Sequence, residues 1–60
     1  MERLVTTYRI GIHEVDVLET LDDEGSWFHL VVDGLARTEI LDRPPTENEA
    51  GRLLLGKRPA

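Results

Sequence analysis

Leu21-Asp22-Asp23-Glu24-Gly25-Ser26-Trp27-Phe28-His29-Leu30-Val31-Val32-Asp33-Gly34-Leu35 is the stretch that decides how this chain folds. It holds two turn signals around one β-rich run. Asp33-Gly34 is a two-residue pair of the kind that closes a type I′ hairpin, because both central residues of that turn need positive φ. Asp22-Asp23-Glu24-Gly25 is the second signal, with Gly25 free to take positive φ. Together they predict a meander with strands near residues 13–21, 26–32 and 35–41.

The turns also set a register. With Val32 opposite Leu35, Leu30 meets Arg37, Phe28 meets Glu39 and Trp27 meets Ile40. With Leu21 opposite Ser26, Glu19 meets Phe28, Val17 meets Leu30 and Val15 meets Val32. Side chains alternate across a strand. One face therefore collects Val15, Val17, Leu21, Phe28, Leu30, Val32, Leu35 and Leu41, with Glu19, Arg37 and Glu39 grouped on it. The other collects Leu18, Trp27, Val31, Ala36 and Ile40, diluted by Asp16, Thr20, His29 and Thr38.

Upstream, Tyr8, Ile10 and Ile12 alternate on even positions, whereas Val15 and Val17 alternate on odd ones. Either a bulge near Gly11 restores one face, or residues 4–12 form a separate strand. Downstream, Pro44-Pro45 ends the third strand. Thr46-Glu47-Asn48-Glu49 then opens a helix, with Thr46 as cap and Glu49 as its capping-box partner. Ala50, Leu53 and Leu54 repeat at helical spacing, and Gly56 suits the end, followed by Lys57, Arg58 and Pro59. Residues 56–60 read as a basic, flexible tail. The expected fold is α+β: a three- to four-stranded antiparallel β-meander followed by one short C-terminal helix, all in one domain spanning residues 1–60.

Sixty residues bury a small core, and chains of this size commonly rely on disulfides, metals or a second subunit. Cysteine is absent, which removes disulfides and thiolate metal sites. Net charge is −5, a sign that disfavours broad attraction to nucleic acid or anionic membranes. No apolar run is long enough to span a bilayer, and no signal-peptide pattern opens the chain. The cytoplasm is the expected location.

Neither a nucleophile triad nor a phosphate-binding or dinucleotide fingerprint occurs. His13, Glu14, Asp16, His29 and Asp33 are the set nearest to a metal or acid–base cluster. The register puts His13 and His29 on opposite faces, so no metal or other cofactor is expected. Glu19 and Glu39, flanking Phe28, read as part of a solvated ionic group with Arg37. Asp22-Asp23-Glu24 lacks the ligand spacing of a calcium loop. The chain therefore reads as non-enzymatic.

One short helix covers one sheet face at most. The apolar residues of the other face, with Leu18, Trp27, Val31 and Ile40 as candidate contacts, point to a protein partner or a second copy, a homodimer being expected. Strands followed by a helix with a Thr-then-Glu start are similar in topology to the arm-binding domains of some recombinases, which read DNA with a sheet. That resemblance implies basic side chains on the exposed face, whereas Arg9, Arg37 and Arg43 are interspersed with Asp16, Glu19, Asp33, Glu39 and Asp42. A nucleic-acid-binding domain, using the sheet or Arg52, Lys57 and Arg58, is the alternative. An acidic inhibitor of a nucleic-acid-processing enzyme is the third reading.

Overall fold

The computed structural model describes residues 1–55. Four strands, β1 (Glu2–Ile10), β2 (His13–Asp22), β3 (Gly25–Val32) and β4 (Leu35–Ala36), precede helix α1 (Glu47–Leu55). The strands form one antiparallel sheet in the order β1-β2-β3-β4. The expected meander-plus-helix architecture is the observed one. Residues 56–60, expected as a tail with Gly56 ending the helix, lie outside the described residues.

Both turns behave as their residues require. Asp33 and Gly34 have φ of 52° and 85°, the double positive φ of a type I′ turn. The Asp22 carboxylate accepts a hydrogen bond from the Glu24 N–H at 2.9 Å, and Gly25 has φ 134°. The β2–β3 register follows: Val15 opposite Val32, Val17 opposite Leu30, Glu19 opposite Phe28 and Leu21 opposite Ser26.

Residues 2–10 are a separate strand, which decides between the two readings of the phase slip. Gly11, at φ 64°, takes the first central position of a two-residue loop, where a type II′ turn needs positive φ. Ile10 then meets His13 and Tyr8 meets Val15, so even positions of β1 share a face with odd positions of β2. Ile12 sits in the loop itself, 86% exposed. A bulge does occur, but at Val5, between the Leu4–Leu18 and Thr6–Val17 pairs.

The expected third strand, residues 35–41, is shorter than its pattern. β4 ends at Ala36. The Arg37 N–H still reaches the Leu30 carbonyl at 2.8 Å, but Phe28 pairs with Leu41, replacing the expected Phe28–Glu39 and Trp27–Ile40 pairs. Arg37 supplies the reason: its guanidinium donates to the Leu53 carbonyl near the helix end at 3.0 Å and reaches Glu39 at 3.5 Å. That ties residues 37–40 toward α1. The slip is two residues, so alternation survives and Leu41 stays on the face of Phe28.

The helix starts as written. Glu49 N–H donates to Thr46 Oγ1 at 3.2 Å, and Thr46 N–H donates to the Glu49 carboxylate at 2.9 Å, completing a capping box. That N–H, then the Arg43 guanidinium at 3.0 Å, hold the Glu49 carboxyl below the usual glutamate range. A folded pKa lowered this way contributes stability above the unfolded value, about 4.3, and loses it as pH falls through the folded value. Glu49→Gln is therefore expected to melt lower than wild type at pH 7, with the gap closing towards pH 3. A gap independent of pH would contradict that linkage.

α1 packs on the face bearing Val15, Val17, Phe28, Leu30 and Val32, with Ala50 fully buried among them. Tyr8 O–H donates to the Pro45 carbonyl at 3.1 Å, and Ile10 lies under Gly51, where an alanine methyl would sit 3.9 Å from Ile10 Cγ2. These contacts set the helix across the sheet, from β1 towards Arg37. Its nine residues span roughly 14 Å, against about 30 Å for the long strands. The ends of the sheltered face, Leu21 and Leu35, accordingly stay exposed.

Candidate functional site

The opposite, open face is built by β1, β2 and β3 in rows set by pairing. Glu2, Thr20 and Trp27 form one row, then Leu4, Leu18 and His29, then Thr7, Asp16 and Val31, with Ala36 of β4 beside Val31. Three of the four expected contacts, Leu18, Trp27 and Val31, thus lie on adjacent strands of one face, each half-buried. Ile40 is 62% exposed within residues 37–40 and is not paired with Trp27.

Leu4 is the residue that sequence reasoning missed. It is 58% exposed beside Leu18. Strand alternation alone would put it with Tyr8 and Ile10 on the sheltered side; the Val5 bulge turns it to the open one. The Leu4-Val5 doublet, which breaks an otherwise alternating run, was the available signal.

Polar groups on this face are partly occupied with one another. Thr7 Oγ1 donates to the Asp16 carboxylate at 3.0 Å. His29 Nε2 lies 3.5 Å from the Glu2 carboxylate, and its ring centroid is 5.7 Å from that of Trp27. His29 Nδ1 is buried without a hydrogen-bond partner. Glu2, Glu14, Asp16, Asp22 and Arg9 are the formal charges that the strands place on this face, four carboxylates against one guanidinium. The remaining arginines with assigned partners are engaged elsewhere: Arg3 with Glu19 at 2.6 Å, Arg37 with Leu53 and Glu39, Arg43 with Glu49. Among the described residues, this face builds no basic stripe for phosphates.

No family model matches the chain, and no curated protein or solved structure matches it either.

The other candidate clusters separate in space. His13 Nδ1 is 2.6 Å from Asp33 Oδ2, and Asp33 Oδ1 accepts the Glu14 N–H at 3.0 Å. The Glu14 N–H, then His13, hold the Asp33 carboxyl below the usual range. This exposed pair braces the β3–β4 turn against β2. Asp16 and His29 have different partners, and among the described residues no three metal-ligating side chains converge. Glu19 and Glu39 do not flank Phe28 as a pair, because Leu41 takes the place expected for Glu39. No helix among the described residues is long and apolar enough to cross a membrane.

Proposed function

We propose that this protein is a non-enzymatic interaction module whose open sheet face docks on another protein with an apolar centre and a basic rim. One observation carries the reading: α1 shelters one face, and Leu4, Leu18, Trp27 and Val31 lie together on the other. Apolar groups gathered on an uncovered face are the usual mark of a docking surface. The carboxylates Glu2, Glu14 and Asp16 around them set the expected sign of the partner's rim, since opposed potentials speed encounter and fix register. Two open faces packed on each other would instead set like charges together, in a chain already at −5. A heterologous partner is favoured on that ground.

The test is site-specific photo-crosslinking in cells. A photoreactive side chain replacing Val31, away from the β1 edge, is expected to yield one discrete protein adduct, weakened by raised salt. The same group replacing Leu35, exposed on the sheltered side, is expected to yield none. Adducts of equal strength from both faces, no adduct from either, or an adduct removed by nuclease would overturn the reading.

A further inference from the structure

We propose that two copies pair antiparallel along β1, with Glu2 of each opposite Arg9 of the other, to form one eight-stranded sheet. β1 is an edge strand of nine residues, and its outward groups can be identified. Met1 and Leu21 exchange backbone hydrogen bonds at 2.7 and 2.8 Å. The ladder alternates from there, so partners of odd β2 residues point inward: Met1, Arg3, Thr6, Tyr8 and Ile10. Glu2, Leu4, Thr7 and Arg9 point outward, and among the described residues no strand lies beyond them.

These four residues define a register. Antiparallel pairing about a two-fold axis between Val5 and Thr6 puts Glu2 opposite Arg9 and Leu4 opposite Thr7, outward group against outward group. The faces agree as well, since all four lie on the open side. Arg3 meets Tyr8 on the sheltered side. The bulge matters to this arrangement: without it the outward set would be 2, 4, 6 and 8, and Glu2 would meet Tyr8. Bulges and charges usually guard an edge. Here the bulge sits at the symmetry axis, and the charges are complementary in the self-paired register.

Area points the same way. Strands β1 to β3, about 30 Å long and about 4.8 Å apart, give one open face of roughly 400 Å². That is about half of the ~800 Å² a standard interface takes from each partner. Side-by-side pairing joins two open faces into one platform and leaves both free; the need for added area rests on the docking reading, whereas the edge register and its charges stand without it.

Sedimentation of the full chain across a concentration series tests it, with amide exchange alongside. Mass is expected to rise from 6.8 kDa towards twice that value, as the Leu4, Thr7 and Arg9 amides gain protection. Glu2→Arg, which sets arginine against arginine, is expected to weaken the dimer at least tenfold. Glu2→Arg/Arg9→Glu is expected to restore it. Leu18→Glu, on the open face, is expected to leave the mass unchanged while abolishing the open-face crosslink, which separates the two proposals. A 6.8 kDa species at every concentration, failure of the double swap to restore the dimer, or dissociation by Leu18→Glu would overturn β1 pairing.

Discussion

Leu30→Ala is expected to leave much of the chain unfolded at 25 °C. Leu30 is 1% exposed and, with Val15 and Val17, one of the largest fully buried side chains. It stands between Val17 on β2 and the Arg37 N–H beyond β3, where neither neighbouring backbone can close in on the space left behind. Leucine truncations at such sites cost about 2–5 kcal/mol. A core of this size rarely supplies more than about 3–5 kcal/mol in total, so the loss is comparable with the whole. Urea titration read by far-ultraviolet dichroism measures it. Leu18→Ala is the companion: half-buried on the open face, it leaves no closed cavity and is expected to shift the midpoint much less. Equal shifts at the two positions would mean that the open face is sheltered after all.

Ala50→Asp is the second large effect. Ala50 is fully buried between α1 and the sheet, and among the described residues no polar side chain is buried to receive a carboxylate. An unpaired polar group in such a place costs about 2–7 kcal/mol. The helix has nine residues, too few to persist in water without its packing. Helical dichroism is therefore expected to disappear together with the cooperative sheet transition. Ala50→Ser, which can bond back to its own helix, is expected to lose far less. Loss of helix with an unchanged sheet midpoint would show that α1 contributes nothing to the core.

Both predictions rest on a core whose pairing was readable in advance. Val15, Val17, Phe28, Leu30 and Val32 meet through two hairpins whose turn residues leave one register open. Asp33 and Gly34 accept positive φ, and a two-residue loop then puts Val32 opposite Leu35. The same locality made the helix start legible, because Thr46 and Glu49 bond each other across three residues. The N-terminal segment was legible only as β structure: Gly11 permits either a turn or a bulge, and the choice depends on whether β1 finds an edge to pair with. The placement of Leu18, Trp27 and Val31 on the open face came from alternation alone. Leu4 did not, because the Val5 bulge reverses the face on which the first residues stand.

The amino-acid sequence by itself determined the β2–β3 register and the start of the β3–β4 pairing, the helix cap and the division of residues 13–32 into two faces, since turn chemistry and period-two alternation act between near neighbours. The folded structure alone decided which face α1 shelters, the Leu41 slip and the Val5 bulge. Each depends on contacts between residues far apart in the chain, such as Arg37 with the Leu53 carbonyl or Tyr8 with that of Pro45. Those contacts are settled by which surfaces pack when the whole chain closes, a competition that no local stretch encodes.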